Sequence, residues 1–198
     1  MPRTLFLLTL AAASLAAPAL AADATALSLL GKDPGQAPAY SCYTRHYDGA
    51  HLASHPRQNV TDISVFVDSS VDPDSKERSY SLEMGVGFRK ISRRFEVSGS
   101  CSTVDGKSGL TCGVDCDGGH FDVTTDAGQS LLVAVPDSVA LWDPAAENSD
   151  EPFKLPKGAE FGKDDKLFRL DRTDLSACRP LMDDDTRAAI YGKDGTAK

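Results

Sequence analysis

Histidines crowd into one segment of this chain: His46, His51 and His55, accompanied by Tyr43 and Tyr47. His51 and His55 stand four apart, which on a helix sets both imidazoles on one face within reach of one ion, with His46 as a third nitrogen. The chemistry implied is capture of a divalent metal ion or a haem. The segment is short, ends at Pro56 and has no glutamate after His51, so it is not the H-E-x-x-H signature of zinc proteases. The plainer reading makes these surface or helix-end histidines satisfied by backbone and carboxylate partners. Tyr43 and Tyr47, at strand spacing, either line a ligand mouth or edge the core. Tyr43, His46, Tyr47, His51 and His55 are therefore the candidate ligand-binding residues, and His46, His51 and His55 the candidate metal ligands.

Carboxylates offer a second chemistry. Asp115, Asp117, His120 and Asp122 surround the Gly118-Gly119 bend. Calcium favours several oxygens on a bent loop, yet the rest of an EF-hand is missing, and solvated turn carboxylates are the ordinary identity. Asp72, Asp74 and Glu77 read the same way. A sugar hydrolase needs two Asp or Glu in one cleft, roughly 5–10 Å apart. With 29 acidic residues, chance alone supplies such pairs. The nucleophile elbow, the penicillin-enzyme set, the P-loop and the dinucleotide fingerprint are all missing, so no catalytic residue is assigned. Arg89, Lys90, Arg93 and Arg94 form a basic run that either meets an anionic envelope component or counters acidic neighbours at a strand turn, the commoner case.

Five cysteines follow the export signal described below: Cys42, Cys101, Cys112, Cys116 and Cys178. In an oxidising compartment disulfides are the default, and the gap from Cys112 to Cys116 is too wide for the usual zinc knuckle. The turn-rich stretch 105–109 closes a hairpin that sets Cys101 directly opposite Cys112, close enough to bridge. Cys42–Cys178 would close the longest loop and so constrain the unfolded chain most. Cys116–Cys178 is the alternative, and either way one thiol is left over.

These groups need a scaffold. A basic start at Arg3, an apolar run over 4–13 and the small-x-small Ala19-Leu20-Ala21 read as a removable signal over 1–21, too short and weakly flanked to span a membrane. A flexible stretch is expected over 22–39, with a helical turn at 25–30, then a β-domain over 40–182 and a tail over 183–198. Cleavage leaves 177 residues and removes Arg3, so 20 basic face 29 acidic side chains, a net charge of −9 against −8 for the whole chain. That balance argues against nucleic acid and against an anionic membrane surface.

Residues 40–47 alternate as a strand does, and Asp48 caps a short helix over 49–55. From 60 onward the period is two. A two-residue turn at Arg89-Lys90 sets Met84 opposite Phe95 and Leu82 opposite Val97, within a three-strand meander over 78–116. Further strands are expected at 120–125, 130–135, 139–142 and 167–170. A long connection over 143–163 is anchored by Phe153 and Phe161, and an acidic-capped helix over 183–190 precedes a fraying end. The expected fold class is all-β: an antiparallel meander forming a single small barrel or sandwich of about 8 strands, with one or two short helices.

At Cys42-Tyr-Thr-Arg-His-Tyr-Asp48, His51-Leu-Ala-Ser-His55-Pro56 and Cys112-Gly-Val-Asp-Cys-Asp-Gly-Gly119 the chain resembles a group of uncharacterised exported proteins of Gram-negative bacteria. The resemblance spans 40–180 and implies a periplasmic location, without a mechanism. The function expected is that of a periplasmic or secreted, non-enzymatic binding protein for a small molecule or envelope component. Its site would be a barrel mouth or sheet face beside Tyr43, His46, His51 and His55. The alternatives are a metal- or haem-handling protein and a carboxylate-dependent hydrolase.

Overall fold

The computed structural model describes residues 18–104, 109–115, 117–126, 129–136, 139–146 and 154–192. Its strands are β1 (Ala39–His46), β2 (Val60–Val71), β3 (Arg78–Phe88), β4 (Ile91–Thr103), β5 (Leu110–Gly113), β6 (His120–Thr125), β7 (Leu131–Ala134) and β8 (Leu167–Thr173). Each pairs antiparallel with the next, and β8 returns to β1 through Cys42↔Thr173, Tyr43↔Arg172 and Thr44↔Asp171. The sheet closes on itself, so the fold is a barrel rather than a sandwich.

Strict alternation builds it. Val65, Val67, Leu82, Met84, Val86, Phe95, Val97, Phe121, Val123, Leu131, Val133, Phe168 and Leu170 point inward and are buried. Eight strands enclose a space that side chains alone can fill, and each large inward residue stabilises by about 1.5–3 kcal/mol. The barrel interior is packed core. At Gly99 the packing leaves no room for a side chain: a Cβ there would lie 2.9 Å from Phe121 Cε1 and 3.1 Å from Cys112 Cβ. Gly99→Ala is expected to cost about 1–2 kcal/mol by overpacking; a urea midpoint unchanged from wild type would contradict this.

Cys101 pairs with Cys112 in the expected register, and the two are bridged. The β3–β4 register differs from expectation. Phe88 faces Ile91 as a two-residue turn requires, but Ser92 and Arg93 then bulge out, so that Val86 faces Phe95 and Met84 faces Val97. The two extra residues keep the inward parity of Phe95 and Val97, which a hydrophobic pattern alone does not distinguish. The strand expected at 139–142 is reduced to one bridge, Glu96↔Trp142. Cys116 and Phe153 lie outside the described residues.

Helix α1 (Pro18–Leu30) contains the helical turn expected at 25–30 and extends it back into the stretch read as signal, and Ala26, Leu29 and Leu30 join the barrel core. Their spacing of three and four places them on one helical face. After β8, a 3-10 helix (Leu175–Leu181) and helix α3 (Asp184–Tyr191, capped by Asp183) lie on the outer face of β1 and β2. Cys42, Phe66, Cys178, Met182 and Tyr191 form a second, smaller core there, tied by the Cys42–Cys178 disulfide. The segment from 183 therefore belongs to the domain, at least to Tyr191.

Two disulfides fit a compartment outside the reducing cytoplasm. Among the described residues no helix is long and apolar enough to cross a membrane.

Candidate functional site

The histidine segment forms as the spacing requires. Helix α2 (Gly49–Ser54) starts at Asp48, whose carboxylate accepts the His51 N–H at 2.7 Å. It ends under Arg89, whose Nη2 donates to the carbonyls of Leu52 (2.7 Å) and His55 (2.8 Å), a cation at the negative end of the helix. The rings then stack instead of converging. Tyr47 lies 4.7 Å from His51 and His51 4.2 Å from His55, centroid to centroid. Lone pairs of near-parallel imidazoles run side by side, so they do not meet at one ion. His51 Nε2 meets Gln58 Oε1 at 3.0 Å and His55 Nδ1 meets the His51 carbonyl at 2.9 Å. His46 lies apart from both, on the outward side of β1. Among the described residues no group of three or more His, Cys, Asp or Glu is placed to hold a metal ion. The three-histidine centre that the spacing allowed as an alternative is not assembled, and His51 and His55 are the helix-end histidines of the plainer reading, with side-chain and backbone partners.

Tyr43 does not line a mouth. It is fully buried in the barrel, its hydroxyl donating to the Leu29 carbonyl and accepting from Arg172 Nη2, both at 2.7 Å. Burial pushes the phenol above its usual range and the Arg172 guanidinium opposes that. Burial raises the Tyr47 hydroxyl as well, against the neighbouring Arg45.

What does gather around His46 is a groove of about 280 Å³ on the outer wall of the barrel. Its floor is Thr44 and His46 from β1, Asp62 and Ser64 from β2, and Arg94 and Glu96 from β4; Ala177, Pro180 and Leu181 form one wall. Strand β3 crosses beneath without filling it, because its outward positions are Gly85 and Gly87. A Cβ on Gly85 would sit 3.0 Å from Leu181 Cδ2 and 3.1 Å from Ser64 Oγ, and one on Gly87 would collide with the Asp62 carboxylate. Glycine inside a strand marks such a close approach.

The polar contacts of the floor run through Arg94. Arg94 Nη2 donates to Ser64 Oγ (3.0 Å) and the Gly85 carbonyl (2.9 Å), while Nη1 pairs with Asp62. Burial draws the Arg94 guanidinium below its usual range and Glu96 opposes. His46 makes no hydrogen bond with another described residue. The arrangement offers an exposed imidazole, an Arg94–Asp62 ion pair beside the Glu96 carboxylate, and an apolar wall.

Carboxylates elsewhere fall into place individually. Glu83 faces Ser98 and Glu96 faces Gly85, so the two acids are diagonal neighbours across β3 and β4. Ser98 Oγ donates to Glu83 at 2.7 Å. Burial nonetheless pushes the Glu83 carboxyl up to about 7, with Glu96, Asp183 and Asp68 adding to the rise. Asp122 accepts from Thr111 Oγ1 at 2.6 Å, and Asp72 accepts the N–H groups of Asp74 and Ser75, which holds its carboxyl below the usual range. These are strand and turn carboxylates. In the basic run, Arg93 pairs with Asp143 at 2.9 Å and Arg94 with Asp62, countering acidic neighbours as expected.

Of the candidate ligand-binding residues, His46 lines the groove, while Tyr43, Tyr47, His51 and His55 do not. Asp62, Ser64, Arg94, Glu96 and Leu181 were not among the candidates. Their sequence signal was Gly85 and Gly87 alternating with Val86 on a strand, a gap in the outward row. No protein-family model, curated protein or solved structure matches the chain at a significant level.

Proposed function

We propose that the protein is a non-enzymatic, periplasmic binding protein that takes a small ligand in the outward groove beside His46. The observation that carries this reading is the pairing of the exposed His46 imidazole with the apolar wall of Pro180 and Leu181, over a floor whose one guanidinium, Arg94, is engaged by Asp62, Ser64 and the Gly85 carbonyl. At about 280 Å³ the groove suits a compact ligand, since pockets for drug-sized molecules run from about 300 to 1,000 Å³. One apolar face against Leu181 and one hydrogen-bonding group toward His46 describe the class. The paired floor disfavours strongly charged ligands, which would have to displace the Asp62–Arg94 pair. The two disulfides and the export signal read at 1–21 support the periplasmic location.

Heteronuclear NMR with a library of neutral, fragment-sized compounds tests this. Binding compounds are expected to shift the amides of Thr44, His46, Ser64 and Leu181, and His46→Ala should weaken them. A library whose members bind only elsewhere, or not at all, would overturn the proposal.

A further inference from the structure

We propose that the arm 179–192 is a pH-operated clasp on the outer wall of the barrel, seated in acidic medium and lifting about the Cys42–Cys178 tie as the medium turns neutral. The tie supplies the hinge point: residues up to Cys178 are fixed covalently to β1, and the arm beyond is held by packing. That packing is small, with Met182 and Tyr191 buried against Phe66 and with Leu181 and Ile190 at its margin.

Across this seat the charges repel. Glu83 on β3 lies beside Phe66, which Met182 and Tyr191 cover, and two positions from Gly85, over which Leu181 sits; Asp68 on β2 and Glu96 on β4 are its diagonal neighbours on the same outward face, and Asp183 enters from the arm. Each of these three acids acts on Glu83, and Asp183 acts on Asp68. The cations nearby are engaged elsewhere. Arg94 is spent on Asp62, Ser64 and Gly85, Arg179 lies over the Tyr191 ring at 5.1 Å, and Arg187 pairs with Asp184 at 2.5 Å. Ser98 is the hydrogen-bond donor to Glu83. Seating the arm therefore holds a half-buried carboxyl among like charges, and a proton on Glu83 relieves it.

The direction of the pH effect follows from where the proton is held. Burial first, then Glu96, Asp183 and Asp68, lift the Glu83 carboxyl from 4.5 to about 7 in the seated state. Lifting the arm returns it toward its ordinary value. Seating thus weakens as the pH rises from about 4.5 toward about 7 and is level above that. Asp68 is raised by burial and by Asp183, and acts in the same direction. Below that range the Asp183 carboxyl, held below its usual range by the Thr186 N–H that it caps, acts the other way, because its protonation loosens the start of α3. Because Pro180 and Leu181 lie beyond the tie, lifting also removes a wall of the groove. That last consequence rests on the binding function proposed above; the clasp does not.

Hydrogen exchange on the full chain with both disulfides intact, corrected for the intrinsic pH dependence and run without ligand, tests the clasp. Protection of the α3 amides is expected to fall on the order of tenfold between about pH 4.5 and pH 8, solvent screening having reduced the full effect of the shift. Amides of β2 and β3 should keep theirs. Glu83→Gln is expected to hold α3 protection level across that range. Asp68→Asn, which leaves Glu83 in place, should shrink the fall and serves if the first variant does not fold. Protection of α3 that ignores pH, or a fall left unchanged by either variant, would overturn the proposal. Failure to find a groove ligand would leave this result untouched.

Discussion

Replacing Cys42 and Cys178 together by alanine is expected to lower the unfolding free energy by about 5 kcal/mol, against about 3 kcal/mol for the Cys101/Cys112 pair. The two bridges differ in what they deny the unfolded chain. Cys42–Cys178 spans 136 positions and Cys101–Cys112 spans 11, so the first removes far more loop entropy. A further cost falls on the second core, where Phe66, Met182 and Tyr191 gather around the longer bridge. Against a typical stability of about 5–15 kcal/mol, losing the longer bridge takes a large share. Urea denaturation of both double variants decides the matter. Equal losses would show that loop closure does not govern the stability of this barrel.

Arg172→Ala is expected to cost about 3 kcal/mol and to free helix α1 from the barrel. The guanidinium donates to the Leu30 carbonyl at 2.9 Å, to the Leu29 carbonyl at 2.6 Å and to the Tyr43 hydroxyl at 2.7 Å, and it lies 5.0 Å over the Tyr43 ring. Those carbonyls close the last turn of α1 and lack helical partners, so the cation satisfies them and complements the dipole. Ser41 Oγ and the Tyr43 hydroxyl also donate to Leu29, which keeps part of the lock when Arg172 is lost. Arg172→Lys should recover only part of the loss, because an ammonium cannot reproduce the planar fork. A combined thermal melt and exchange measurement on α1 reads both effects. A variant with wild-type stability and an unchanged helix would contradict the assignment.

Much of this architecture could be read from residue order. The period-two runs around Val65, Leu82 and Phe95 announce strands, and the turn-forming residue types over 105–109 are enough to predict the Cys101–Cys112 register because hairpin geometry is local. The bulge at Ser92 and Arg93 escapes that logic, since a shift of two preserves every inward side chain. Closure of the sheet was open between barrel and sandwich, for strand pairing between β1 and β8 is a long-range event that no local pattern encodes. Helix α1 was legible only as a turn over 25–30 for a similar reason. Ala26, Leu29 and Leu30 find their apolar partner only once the barrel end exists to receive them.

The site was less legible than the fold. His51 and His55 occupy one helical face as their spacing demands, yet ring stacking with Tyr47 consumes that face. Spacing specifies which side chains are neighbours; it does not specify which way their nitrogens point. The groove draws on β1, β2, β4 and the 3-10 helix after β8, and its shape depends on glycines that carry no side chain to notice. Leu181 becomes a wall because the Cys42–Cys178 bridge delivers it there, a pairing that remained open against Cys116 in sequence.

The most direct measurement compares wild type with Leu181→Ala for the tightest-binding neutral fragment, by calorimetric titration near pH 6. Leu181 is half-exposed, so the fold should survive while the apolar wall is cut back to a methyl group and no charge is added to the seat. Affinity is expected to fall about tenfold or more with little change in melting temperature, the amount that losing one buried aliphatic contact implies. Equal affinity in the two proteins would show that ligand does not sit against this wall and would contradict the assignment of the groove as the binding site.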